Sequence, residues 1–157
     1  MQKITPFLWF DNQLEEAVNF YVSIFKNAKV INMNRMDDAR TGEKNKVSMA
    51  TFQIEGQEFM ALNGGPTYKL SPAISLFVSC NTQEEVDTLW AKLGQGGQEL
   101  QCGWLTDRFG LSWQIIPTAL GELMGDPDPA KSQRVMQAMM KMIKIDIAAL
   151  KAAHAGK

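Results

Sequence analysis

The chain has 157 residues, of which 45% are hydrophobic and 21% charged, enough apolar material for one compact core and too little charge for a disordered chain. Sixteen Lys and Arg against seventeen Asp and Glu give a formal net charge of -1, which excludes a general phosphate-backbone binder and makes nucleic acid an unexpected partner. A single histidine, His154, and two cysteines, Cys80 and Cys102, exclude a zinc framework and read as reduced structural thiols. The first ten residues hold no apolar run suited to a signal peptide or a membrane span, so a cytoplasmic location without a membrane partner is expected.

In chain order, Phe7 to Phe10 is a short apolar run followed by Asn12 and Glu15, the spacing of a helix cap, and then by apolar residues at helical period. The predicted helix covers about residues 13 to 26 and buries Leu14, Ala17, Val18, Tyr21, Ile24 and Phe25. Lys29 to Met36 and Lys46 to Ile54 read as strands around the polar loop Asp37 to Glu43, and Glu55-Gly56 turns the chain into a strand from Gln57 to Asn63. Residues 66 to 72, PTYKLSP, are rich in turn formers and read as a linker.

The same order then returns. Leu76 to Trp90 repeats Phe7 to Tyr21 at an offset of 69 (76 minus 7), with Asn81 and Glu84, or Thr82 and Glu85, in place of the first cap. A helix over about 83 to 93 would bury Val86, Leu89, Trp90 and Leu93. Strands from Gln101 to Thr106 and from Leu111 to Pro117 follow, joined by Asp107-Arg108-Phe109-Gly110. Gly56 aligns with Gly110 at an offset of 54, so the second copy is about 15 residues shorter. The prediction is an α+β fold of two βαβββ modules, residues 1–65 and 73–125, plus a C-terminal helix within 126–157.

That helix starts after Asp126-Pro127-Asp128-Pro129 and is expected to run unbroken from 130 to about 153. Met136, Met139, Met140, Ile143, Ile147 and Leu150 form its apolar stripe, with lysines opposite. The stripe needs a cover, either the chain's own modules or a second copy.

The stretches FLWFDNQLEEAVNFY (7–21), FMALNGGP (59–66), QEEVDTLWAKL (83–93), CGWLTDRFGLSWQIIP (102–117) and RVMQAMMKMIKIDIAAL (134–150) resemble the PhnB-like family, often labelled 3-demethylubiquinone-9 3-methyltransferase. That family lies within the glyoxalase, bleomycin-resistance and extradiol-dioxygenase, or vicinal oxygen chelate, superfamily. The resemblance implies a two-module fold, a homodimer and a cavity for a small molecule. It maps the superfamily's metal positions onto Ile4, Met60, Ala73 and Gln114, of which only Gln114 could ligate, so neither metal nor cofactor is expected.

Alternation from Ile4 and Gln114 would put Leu8, Phe10, Met60, Leu62, Ser75, Phe77, Ser112, Gln114 and Ile116 on the cavity face. Phe7, Trp9, Phe59, Ile74, Leu76, Val78, Leu111, Trp113 and Ile115 would then pack under the helices. With Trp104 at the rim, the candidate ligand-binding set is Leu8, Phe10, Met60, Leu62, Ser75, Phe77, Trp104, Ser112 and Gln114. A filled apolar core with satisfied hydroxyls is the competing reading of these positions. Cys102 has no histidine to activate it, Tyr21 belongs to the buried stripe, Tyr68 to the linker, and Asp107-Arg108 reads as a turn with a solvated ion pair. No catalytic residue is assigned. Two alternatives stay open: a metal-dependent glyoxalase or dioxygenase with displaced ligands such as Glu58 or Asp107, and a non-catalytic ligand-sequestering protein. No glycine-rich strand-to-helix turn supports a methyltransferase.

Overall fold

The computed structural model describes residues 2–157 and divides the chain into two compact units, Met1–Leu70 and Ser71–Lys157. In the first unit the apolar run becomes β1 (Phe7–Phe10), the amphipathic stretch α1 (Leu14–Ile24), and the rest β2 (Ala28–Met36), β3 (Lys46–Ile54) and β4 (Gln57–Asn63). The sheet order is β1-β4-β3-β2, with β1 parallel to β4 and the other pairs antiparallel. Glu55 and Gly56 both have positive φ, 48° and 81°, which is what a two-residue hairpin between twisted strands requires. α1 buries Leu14, Ala17, Val18 and Tyr21, and Tyr21 stacks on Phe52 at 6.3 Å while Phe52 stacks on Phe59 at 5.4 Å.

The expected Asn12–Glu15 cap does not form. Asn63, at the end of β4, accepts from Leu14 N at 3.0 Å and donates to Val47 O at 2.9 Å, so a partner distant in sequence satisfies an orphan N–H of the helix start. Glu15 pairs instead with Arg35 of β2.

The second unit repeats the order as β5 (Ser75–Cys80), α2 (Gln83–Gly94), β6 (Gln98–Glu99), β7 (Trp104–Thr106) and β8 (Ser112–Pro117), with sheet order β5-β8-β7-β6. The two-module α+β fold is therefore present. Here the cap is local: Thr82 Oγ1 accepts from Glu85 N at 3.1 Å and Glu85 returns a bond to Asn81 N at 2.8 Å. Cys80 is fully buried at the end of β5, and burial, then the charge of Glu85, pushes its thiol up to about 12. It is an inert structural thiol.

The C-terminal segment departs from its periodicity. α3 (Thr118–Met124) follows β8 directly, and where one helix was expected over 130 to about 153 there are two, α4 (Pro129–Met139) and α5 (Ile147–His154). The break falls at 140–146, because Met142 O and Ile143 O accept from Cys102 N at 2.9 Å and Gly103 N at 2.8 Å, and carbonyls engaged there leave the helical ladder. Asp146 then caps α5 by accepting from Ala149 N. Gln83 of α2 fastens the junction, donating to Ile145 O and accepting from Ile147 N at 2.9 and 2.8 Å. Val135, Ile145 and Leu150 are buried with Ile116 and Leu120 in one cluster, so the stripe is covered in part by its own unit. Met136, Met140 and Ile143 stay exposed. No helix among the described residues is long and apolar enough to cross a membrane.

Candidate functional site

Strand register decides which side chains share a face. In the second unit Ser75 lies opposite Ser112, Phe77 opposite Gln114, Trp104 opposite Gln114, and Thr106 opposite Ser112. Ser75, Phe77, Trp104, Thr106, Ser112 and Gln114 therefore form one face, while Trp113 and Ile115, 1% and 0% exposed, pack on the α2 side. Gln114 Nε2 donates to Ser75 Oγ at 2.9 Å, and the Thr106 and Ser112 hydroxyls lie 3.3 Å apart. The Gln114–Ser75 bond leaves Gln114 Oε1 as an acceptor and the Ser75 hydroxyl proton as a donor. Phe77, beside them, is 59% exposed.

At its Ile116 end this face is closed. Ile116 shares the parity of Gln114 yet is covered by Leu120, Val135, Ile145 and Leu150. The C-terminal helices thus stand over one end of the strand that carries Gln114.

The first unit corrects the predicted faces. Leu8 and Phe10, expected on the cavity side, are 6% and 3% exposed and register with Ala61 and Asn63 on the α1 side. Phe7 and Trp9, expected beneath the helix, lie opposite Met60 and Leu62 on the other side. The physical reason is that β1 begins only after Pro6, so alternation counted from Ile4 does not carry across; Ile4 is 85% exposed and outside the strand. Met60 and Leu62 do lie on the side away from Phe59 and Ala61, as expected. Trp9 is half-buried there, its Nε1 donating to Gly65 O at 2.9 Å and its ring meeting Tyr68 edge-on at 5.0 Å. Ile74 precedes β5 and is exposed, so it does not pack under a helix.

Asp107 is also corrected. It is 3% exposed rather than solvated. Its Oδ1 accepts from Phe109 N at 2.9 Å and Leu111 N at 3.1 Å, and its Oδ2 accepts from Trp113 Nε1 at 2.9 Å. Arg108 lies over the Phe109 ring at 4.7 Å. This turn is a structural hub that fixes the start of β8 and hence Ser112 and Gln114.

The residues do not fit the superfamily metal. Of Ile4, Met60, Ala73 and Gln114 only the last carries a harder donor atom, and its amide nitrogen is bonded to Ser75. Among the described residues no group of three His, Cys, Asp or Glu side chains is placed to hold an ion. The Asp128 N–H, donating to Asp126 Oδ1 at 2.8 Å, and then His154 Nε2, 2.8 Å from Asp126 Oδ2, hold the Asp126 carboxyl below its ordinary value.

The model of the family described as 3-demethylubiquinone-9 3-methyltransferase matches residues 2–116. The chain belongs to this family. A solved structure from Bacillus cereus described as a putative 3-demethylubiquinone-9 3-methyltransferase, PhnB protein, is 40% identical, with 74% of this chain and 100% of that chain covered and a TM-score of 0.69. Protein PA1353 from Pseudomonas aeruginosa shares the fold at 22% identity, TM-score 0.62, covering 74% of this chain and 98% of that one. So does a glyoxalase-related enzyme from Fulvimarina pelagi, at 14% identity, TM-score 0.51, with 76% and 91% covered. No curated protein matches the chain. The family span ends at Ile116, so the likeness expected over Arg134 to Leu150 lies outside it, and α3, α4 and α5 all follow the matched residues.

Proposed function

We propose that this member of the 3-demethylubiquinone-9 3-methyltransferase family binds a small, partly apolar molecule on the face formed by Ser75, Phe77, Trp104 and Gln114, with Ser112 fully buried beneath it against Thr106, and without the superfamily metal. The observation that carries the reading is the exposed Phe77 ring next to the Gln114–Ser75 pair. An apolar surface beside a few fixed polar atoms is the composition of a small-molecule site. Every side chain named on this face is uncharged, which suits a neutral ligand carrying a carbonyl or hydroxyl.

The family description names a methyl transfer, and the residues do not fit its nucleoside cofactor. A cofactor cradle at a strand-to-helix turn relies on glycines and open helix N–H groups. Here the turns are Asp11-Asn12-Gln13 and Asn81-Thr82, and β8 runs straight into α3 at Pro117-Thr118, none of them holding a glycine. Leu14 N is taken by Asn63 and Glu85 N by Thr82.

Benzamide serves as a neutral aromatic probe. Its Kd, followed by tryptophan fluorescence, is expected to weaken about tenfold in Gln114→Leu, the scale of one lost hydrogen bond of about 1.4 kcal/mol. Equal affinity in the two proteins would contradict the assignment of Gln114. We also propose that the chain forms a homodimer, a reading supported by exposed Met136, Met140 and Ile143. Light scattering should give twice the chain mass, and one chain's mass would contradict it.

A further inference from the structure

We infer that the C-terminal helices, which follow the family span, are the size-selecting element of the ligand face. The inference rests on the face proposed above and adds what limits its occupant. Three observations converge on one end of β8. Ile116, two residues beyond Gln114 and of the same parity, is only 9% exposed, because Ile145 and its neighbours in the cluster cover it. The Cys102-Gly103 turn, just before Trp104, donates both of its backbone N–H groups to the α4–α5 connector, at Met142 O and Ile143 O. The gap between these layers is closed: a Cβ built on Gly103 would lie 2.8 Å from Ile116 Cδ1 and 3.0 Å from Ile145 Cγ1.

The connector is therefore bonded to the strand pair that carries Trp104 and Gln114, and its Ile145 is packed without slack against the residue next in line on the face. Two fastenings to α2 keep it there, namely the Gln83 side chain on Ile145 O and Ile147 N and the ion pair of Lys144 with Asp87 at 2.8 Å. A wall held at several points rejects a ligand by volume, since close-packed side chains give little. Residues 2–116 supply the polar groups that hold the ligand, and the segment after them sets how far the ligand extends past Gln114. A compact one-ring neutral ligand fits; a fused two-ring one meets Ile116 and Ile145.

The test uses the full chain with benzamide and 2-naphthamide as probes. Truncating Ile145 to alanine opens room only on the connector side. The expected result is that 2-naphthamide binds Ile145→Ala about tenfold more tightly than the parent chain, the scale of a few methylenes in a pocket, while benzamide changes by less than about twofold. Ile145→Val, which removes a single methyl and keeps the fold, is expected to give about threefold for 2-naphthamide and carries the test if the alanine variant does not fold. If benzamide binds the parent chain but the two probes change by the same factor in the variants, or neither changes, the wall is overturned and the ligand face stands. If benzamide does not bind the parent chain, the face is overturned and the wall with it.

Discussion

Replacing Asp107 with alanine is expected to lower the unfolding free energy by about 3–5 kcal/mol. The side chain lies buried in the turn between β7 and β8, and its two oxygens receive the N–H groups of Phe109, Leu111 and Trp113. Alanine leaves these donors without that acceptor, and a buried unsatisfied donor costs about 1–3 kcal/mol. The effect is large against the 5–15 kcal/mol that about spans the stability of ordinary domains. Asp107→Asn separates the parts: an amide oxygen still serves the two backbone donors, while its NH2 would face Trp113 Nε1, a donor against a donor, so a loss of about 1–3 kcal/mol is expected. Urea unfolding of the three proteins checks the order. An alanine variant within about 1 kcal/mol of the parent would mean that the turn does not depend on its carboxyl.

Gly103→Ala is expected to cost about 2–5 kcal/mol. Two effects add. The backbone there has φ of 81°, which is strained for any residue with a Cβ, and the new methyl would meet Ile116 Cδ1 at 2.8 Å and the backbone oxygen of Ile115 at 3.0 Å. Gly56→Ala isolates the first effect, because Gly56 also has φ of 81° but has nothing within 4 Å of a built Cβ; about 1–2 kcal/mol is expected there. The difference between the two variants in urea unfolding reports how tightly β8 and the connector residue Ile145 together are packed on the Gly103 turn. Equal costs would show that these neighbours yield to accommodate the methyl.

The repeat made much of this fold readable, since two copies of strand, helix and three strands at matching offsets fix element order; it left two frames for the second cap, of which Thr82–Glu85 forms. The faces of the second sheet were also readable: Ser75, Phe77, Ser112 and Gln114 need only alternation within strands that begin where expected. In the first sheet the faces turn on one residue. Pro6 interrupts the extended run, and the parity of Leu8, Phe10, Phe7 and Trp9 inverted with it. Asn63 as the cap of α1 was not readable, because no spacing rule links residue 63 to residue 14. The broken C-terminal helix did leave a signal. Ile143, Ile145 and Ile147 are β-branched and alternate at period two around the capping residue Asp146, a pattern that a continuous helical stripe does not share. Asp107 was legible as a turn residue, but its burial follows from Trp113 folding back over it, which is a tertiary fact.

The claim that the Gln114 side of the second sheet is the ligand face is tested most directly by a 1H–15N NMR titration of the full chain with benzamide. The largest shifts are expected on the backbone amides of Ser75, Phe77 and Gln114, on the Gln114 side-chain amide and on the Trp104 indole, while the buried Trp113 indole moves little. Shifts concentrated on other residues, or none at saturating probe, would contradict it.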